Sequence, residues 1–352
     1  MSCGDGIVKP GELCLSALDA IVLGGQPIDV ICVDLDRDGH FDLAVADVLG
    51  NVHTLYGKGD GTFDMTPSQS ALVQPRGIAA TARDRGETLD LAVADLGFDA
   101  LALLHAKGPR SYDLAKSTAV GNKPRALVNA DLDGDGDDDL VIVNQGSDDL
   151  TIALLGASDE PPKISHFNVG DDPYDVAVGD LDNDGNLDVA TVNRLSGTIS
   201  VLLGDGIGGL GEAVEHKARP DVRSLAIADL NGDGRLDIVA TSYEDSKMTI
   251  LLGAGDGLSF TDHYLPVGLS LYGAAVGDLD LDGVPDLAAV DLDASELVIL
   301  RGLDQAIPTL DRLPTGDGPL DLTLGDLNED GLLDVIVAAT FAGSLTIYLQ
   351  DP

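Results

Sequence analysis

Residues Val176–Gly206 read VAVGDLDNDGNLDVATVNRLSGTISVLLGDG, and the organisation of the whole chain follows from them. Alternating apolar and small residues over Tyr174–Gly179 lead into an acidic loop, Asp180–Asp188. A β-rich run comes next, Val189–Asn193, then a turn containing Gly197. A third run, Thr198–Leu203, ends at Gly204, and the Gly-rich stretch Asp205–Gly211 turns the chain again. A more polar fourth run, around Glu212–Lys217, leads to Pro220. Four short runs, each bounded by Gly, Asp or Pro, predict a four-stranded antiparallel unit. The nearly continuous apolar runs suit inner strands covered on both faces, and the polar run suits an outer edge.

The acidic loop recurs seven times, beginning at Asp34, Ala82, Asp131, Asp180, Asp229, Asp278 and Asp326, at intervals of 48 or 49 residues. Six copies read DLDRDGHFD, DLDGDGDDD, DLDNDGNLD, DLNGDGRLD, DLDLDGVPD and DLNEDGLLD; the second, ARDRGETLD, is degenerate. So regular a period marks a repeat architecture. The last unit stops after its third strand, Ser344–Leu349, and an orphan strand over Leu18–Leu23 precedes the first. The ends therefore match: the N-terminal strand completes the last unit and removes two exposed edges. An open solenoid would carry distinct capping repeats. The expectation is an all-β, seven-bladed β-propeller over residues 17–352, preceded by a Cys-containing segment, 1–16.

Composition narrows the partners. The chain has 61 acidic and 20 basic residues, a formal net charge of −41, spread in clusters along its 352 residues. Nucleic acid and anionic membranes suit such a surface poorly, whereas cations suit it well. No stretch of 18 uncharged apolar residues exists, so no membrane-spanning helix is expected. No signal peptide precedes the repeats in this numbering. Cys3 and Cys14 bracket a Gly- and Pro-containing loop, spaced either for a disulfide or as two free thiols. Cys32, in an alternating run, reads as a small core residue.

In the loops, DxDxDG spacing puts carboxylates at alternate positions, so that several oxygens converge, and Gly at the sixth place permits the sharp turn. Hard oxygen donors without His or Cys select Ca²⁺. Side chains at positions one, three, five and nine are the candidate ligands, with the backbone carbonyl of position seven. These are Asp34, Asp36, Asp38 and Asp42 with His40; Asp131, Asp133, Asp135 and Asp139 with Asp137; and Asp180, Asp182, Asp184 and Asp188 with Asn186. Further along they are Asp229, Asn231, Asp233 and Asp237 with Arg235; Asp278, Asp280, Asp282 and Asp286 with Val284; and Asp326, Asn328, Asp330 and Asp334 with Leu332. An EF-hand is excluded, because Val45 and Thr191 stand where it needs Glu and a strand, not a helix, follows. About six calcium ions are expected and none in blade 2, where Ala82 and Gly86 replace two acids and Arg83 and Arg85 enter the loop with positive charge.

The units, Val176–Gly206 among them, resemble the FG-GAP or VCBS repeats of integrin α-chain head propellers and of many secreted bacterial proteins. The resemblance runs from about Leu18 to Leu349. It implies a calcium ion in the hairpin between the first two strands of a blade, an extracellular or cell-surface location, and a protein-interaction or adhesion role with structural calcium. The segment CGDGIVKPGELC, Cys3–Cys14, resembles the start of cysteine-rich repeats in surface proteins of myxobacteria-like organisms.

A ligand face is expected opposite the loops. Six residues before each loop stand Ile28, Arg76, Arg125, Tyr174, Arg223, Tyr272 and Leu320, of which Arg76, Arg125, Tyr174, Arg223 and Tyr272 are candidates for recognising an anionic or polar partner, protein or glycan. A second, mostly polar ring is Asp47, Asp95, Asn144, Asn193, Ser242, Asp291 and Ala339. Otherwise the arginines merely neutralise nearby Asp. There is no HExxH, no nucleophile elbow and no phosphate-binding Gly loop, and His166, His216 and His263 read as exposed edge residues, so no enzyme is expected. A monomer is expected. The alternatives are a lectin, against which the absence of Trp argues, a non-catalytic accessory domain of a secreted enzyme, and a structural spacer.

Overall fold

The structure, a computed structural model, describes residues 11–350 except 71, 84–88, 109, 157–159, 246, 268–269 and 304–307. Seven antiparallel sheets follow one another along the chain, and no helix occurs among the described residues. In each blade the first strand lies innermost: Pro27–Val33, Pro75–Thr81, Pro124–Ala130, Pro173–Gly179, Val222–Ala228, Leu271–Gly277 and Pro319–Gly325. Each of these strands touches the first strands of both neighbours, and the last touches the first, so the ring is closed.

The second strands are the most buried elements. Asp42–Asp47, Asp139–Asn144 and Asp188–Asn193 have no residue open to solvent, as their Val-, Leu- and Ala-rich sequences require. Their side chains fill the gaps between blades; Ala44 and Tyr56 of blade 1 meet Ile78 and Leu91 of blade 2 in one cluster. Each fully buried Leu, Ile or Val contributes about 1.5–3 kcal/mol, so the hydrophobic gain is spread evenly around the ring. Fourth strands such as Lys163–Asn168 and Thr309–Pro314 alternate exposed and half-buried positions, as their polar sequences predict. Cys32 is half-buried on the innermost strand of blade 1, where a Cβ at Gly325 would collide with its sulfur. The small thiol is thus matched to a missing side chain across the blade boundary.

Blade 7 takes its outer edge from the other end of the chain. Leu15–Ala17 and Ile21–Val22 both pair with Ser344–Gln350, in the register Leu15 opposite Gln350 and Val22 opposite Ser344. The orphan strand expected over Leu18–Leu23 therefore begins earlier and is interrupted. Leu18 and Leu23 still donate to the carbonyls of Ile347 and Gly343. Cys14 beside it is buried and disulfide-bonded, and Cys3 lies outside the described residues.

Every first strand carries a register shift just after its first residue, between Pro27 and Asp29, Pro75 and Gly77, Pro124 and Leu127, and so on to Pro319 and Asp321. A bulge leaves a residue outside the ladder and re-aims its side chain. The bulged positions include Ile28, Arg76, Arg125, Tyr174 and Leu320, so this irregularity turns the first ring of the sequence toward the channel.

Deleting residues 1–23 should expose the edge of Ser344–Gln350. A thermal midpoint lowered by roughly 10 °C or more, with concentration-dependent association, is expected in calorimetry and size-exclusion chromatography. An unchanged midpoint would show that the closing strand is dispensable.

Candidate functional site

The acidic loops share one backbone. The residue at position four has positive φ in all six regular copies, whether glycine (Gly134, φ 73°; Gly232, φ 72°) or not (Arg37, φ 58°; Asn183, φ 57°; Leu281, φ 57°; Glu329, φ 59°). Position six follows at φ 97° for Gly39 and 91° for Gly185. Left-handed conformation is costly for Leu281, and such conformations persist where surrounding interactions impose them. Here the imposing interactions are visible. In five of the six the carboxylate at position one accepts the N–H groups of positions five and six, as Asp180 does from Asp184 and Gly185 at 3.0 Å each and Asp278 from Asp282 at 3.1 Å and Gly283 at 3.0 Å; in blade 3 Asp131 accepts from Gly134 and Gly136. Position five accepts from the N–H of position seven, as Asp38 does from His40 at 3.0 Å and Asp330 from Leu332 at 3.0 Å.

Position nine has a second task that its spacing does not disclose. The Asp188 carboxylate is buried and accepts the N–H of Leu181 from its own loop and of Gly204 beyond the third strand, both at 2.8 Å. Asp42, Asp139, Asp237 and Asp334 make the same pair of bonds. Asp286 accepts only from Leu279, and its Oδ1 is buried without a hydrogen-bond partner.

These bonds gather carboxylate oxygens within 4.8 Å of one another in four loops. The groups are Asp34, Asp36 and Asp42; Asp131, Asp133 and Asp139; Asp180, Asp182 and Asp188; and Asp278, Asp280 and Asp282. The donor set is all oxygen, and one oxygen of Asp286 beside the blade 6 group is orphaned, so these residues fit a hard divalent cation. In blades 5 and 7 Asn231 and Asn328 stand at position three; their amide oxygens accept the N–H of Asp233 at 2.9 Å and of Asp330 at 3.3 Å. Two arginines reach neighbouring loops: Arg110 bonds Asp36 at 2.8 Å and Asp38 at 3.3 Å, and Arg301 bonds Asp280 at 3.1 Å.

In blade 2 the described residues flanking the degenerate loop take other partners. Arg83 is buried and donates to the carbonyl of Gly156 in blade 3 through Nε at 3.0 Å and Nη2 at 2.9 Å. It thus bonds across the blade boundary. The acid left at position nine, Asp90, instead pairs with His105 Nδ1 at 2.5 Å and accepts the N–H of Ala106 at 2.9 Å. Arg85 lies outside the described residues.

Six residues of extended strand, roughly 20 Å, separate each loop from the other end of the channel. There Arg76, Arg125, Tyr174, Arg223 and Tyr272 line one cavity of about 180 Å³, with Ile28 and Leu320 in its wall. The Arg125 guanidinium lies 3.4 Å from the centre of the Tyr174 ring, and that of Arg223 lies 4.7 Å from Tyr174 and 5.0 Å from Tyr272. The two tyrosine hydroxyls meet, and the rings stack edge to face. The ring read from the sequence is thus a physical cluster. Below it sit Asp29, Asp175 and Asp321, absent from the sequence reading. Asp29 accepts the N–H of Ile78 at 2.7 Å, Asp175 that of Leu225 at 3.1 Å and Asp321 that of Val30 at 3.0 Å, each bond tying one blade to the next. Burial raises the pKa of all three, Asp175 to about 6.

The second ring does not join this surface. Asp47, Asp95, Asn144, Asn193 and Ser242 are buried and bonded within turns; Asp95, for example, accepts from Val73, Gln74 and Gly97. The edge histidines divide: His166 and His263 are exposed, whereas His216 is half-buried, its ring edge-to-face with Phe260, and burial lowers its pKa.

Residues 131–191, 183–240 and 229–289 match the FG-GAP-like repeat family. No curated protein sequence matches the chain. Among solved structures, BBS1N in complex with ARL6DN is 14% identical, with 97% of this chain and 98% of that one covered and a TM-score of 0.68. Virginiamycin B lyase from Staphylococcus aureus is 12% identical over 96% and 99%, with a TM-score of 0.65. An Agrocybe aegerita lectin that recognises non-reducing terminal N-acetylglucosamine is 17% identical over 94% and 86%, with a TM-score of 0.58. At these identities the likeness is one of fold.

Burial pushes Asp42 up to about 6 and Asp139, Asp286 and Asp334 up to about 7, from an ordinary value of 3.8. In metal-free protein, the folded state therefore holds protons that the unfolded chain has released. That contribution is fully present below the ordinary carboxylate range and is lost as pH rises toward 7. With chelator present, the thermal midpoint should fall between about pH 5 and pH 7.5. A midpoint that rises over this interval would contradict the assignment.

Proposed function

We propose, for a chain that is a seven-bladed propeller of FG-GAP-like repeats, a calcium-stabilised, non-catalytic binding module working outside the cell or at its surface. The observation that carries this reading is the separation of two chemistries onto opposite ends of the channel. One end holds the carboxylate loops. The other holds the arginine–tyrosine cavity, and the turns around it carry exposed apolar side chains: Leu49, Phe98, Leu195 and Phe341 are 62%, 61%, 71% and 66% exposed. Isolated surface apolar residues are ordinary, but several on one face beside Arg and Tyr suit a protein partner.

Calcium would be held by the carboxylates gathered in blades 1, 3, 4 and 6, and by their counterparts in blades 5 and 7, where it would supply positive charge to hairpins that otherwise concentrate acids. The residues themselves fix the loop: position one pins two N–H groups, and position nine joins the loop to the second and third strands. Ion binding to the folded state alone would add about 2.7 kcal/mol per site at a hundredfold excess over Kd. A glycan reading finds some support in Tyr174 and Tyr272, yet arginines already lie against those rings. A protein partner is therefore the preferred reading.

Chelation with EGTA should lower the thermal midpoint by roughly 10 °C or more, and calorimetric titration of stripped protein should count about six ions. An EGTA-insensitive midpoint would refute the structural role. Capture from a surface or matrix fraction should weaken severalfold for a Leu195→Asp, Phe341→Asp variant that keeps its midpoint; unchanged capture would exclude this face.

A further inference from the structure

We propose that the cavity at the channel mouth is a carboxylate site, in which Arg76 and Arg125 receive an acidic side chain presented by a protein partner. The inference rests on the binding-module reading above and names the chemistry of what is bound.

The argument begins from an imbalance. Acids outnumber bases threefold in this chain, 61 to 20. Arginines elsewhere have taken partners accordingly: Arg194 pairs with Asp172, Arg219 with Asp245 and Arg312 with Glu296. Arg76 and Arg125 face the same cavity, and neither forms an ion pair among the described residues. Their Nε–H groups are buried without hydrogen-bond partners, as is that of Arg223. A buried donor left unsatisfied costs about 1–3 kcal/mol. Burial and the charge of Arg125 both hold the Arg76 guanidinium below its ordinary pKa, the signature of two like charges confined together. An anion between them relieves the repulsion and satisfies the donors at once.

The surroundings are prepared for such an anion. Arg223 is anchored by Asp221 at 2.8 Å and by the Tyr272 hydroxyl at 3.3 Å, and Arg125 lies against Tyr174, so the wall is built of side chains already fixed in place. The acids on the floor, Asp29, Asp175 and Asp321, are bonded to backbone N–H groups of neighbouring blades, and burial raises the pKa of each. They do not form ion pairs with the guanidiniums.

Size and charge choose among oxyanions. About 180 Å³ holds one short acidic side chain. A guanidinium fork matches carboxylate and phosphate alike. A protein of net charge −41 repels a phosphate dianion more than a carboxylate monoanion. The exposed Leu49, Phe98, Leu195 and Phe341 on the same face suit a polypeptide carrying the carboxylate better than a free metabolite.

The calcium-loaded full chain should be titrated with N-acetylglutamate amide, N-acetylglutamine amide and inorganic phosphate. Tyrosine emission is the readout, which the absence of Trp leaves unobscured. The glutamate compound should give a saturable change, and the glutamine compound should bind at least roughly tenfold more weakly. An Arg76→Gln, Arg125→Gln variant should lose a similar factor while its thermal midpoint stays level or rises, since a repulsion is removed. Should that variant fail to fold, Arg125→Lys carries the comparison, with partial loss expected. Equal binding of both amides, tighter binding of phosphate, no saturable response, or unchanged affinity in the variants would each overturn the proposal. Failure of partner capture alongside selective glutamate binding would count against the module reading alone.

Discussion

The aspartate at the ninth place of each loop is the constraint from which most of this structure follows. It is a carboxylate in a nearly dry position, held in five of the blades by one N–H from its own loop and another from the far end of the third strand, as Asp188 is by Leu181 and Gly204. One side chain thereby joins three strands at the base of the blade. The cost is a buried negative charge, which the loop compounds by adding acids at positions one, three and five. Blade 2 has the same base with the acids at positions one and five missing: His105 partners Asp90, and one N–H bond, from Ala106, is kept. Strand pairing and the handling of acidic charge are therefore one problem in this protein, met by clusters suited to a metal ion in some blades and by an imidazole in another.

Much of this was legible in the sequence because the repeat states it seven times. Strand number, blade count, closure by the N-terminal strand and the position of the channel-mouth ring all come from spacing, and spacing survives even the degenerate copy. What escaped depends on direction rather than position. Nothing in DLDLDGVPD says that Leu281 adopts positive φ, since glycine marks that place in only two copies. The inward aim of Arg76 and Arg125 comes from a bulge one residue into the strand, which a period cannot reveal. That the Arg83 side chain reaches a carbonyl in the next blade is likewise invisible to spacing. The second ring of polar residues was visible, but polarity at the end of a fully buried strand serves the adjoining turn.

The two ends of the channel deal with charge in opposite ways. In the loops, acids are drawn together by backbone N–H groups that shape the turn. At the mouth, the acids that follow Ile28, Tyr174 and Leu320 are drawn instead to the backbone of the next blade, as Asp175 is to Leu225, while the Arg125 guanidinium lies against an aromatic ring. Solved propellers that share this outline include a lyase and a lectin, at 12% and 17% identity. The scaffold alone is therefore silent about chemistry, and the residues at the bulges are where this chain declares its own.

The pairing of Leu15 with Gln350 also fixes how the ring answers to tension. Ahead of it, Gly11 is bonded to blade 6, donating to the Asp280 carbonyl and accepting from Arg301, both at 2.9 Å. Once that contact gives way, a pull on the two ends peels the closing strand away one hydrogen bond at a time instead of shearing the whole row together, because Leu15 and Gln350 face each other. The disulfide-bonded Cys14 sits between that contact and the closing strand. A tethered copy would thus yield first at its seam, with six blades untouched, and the ring could reclose when the load is released.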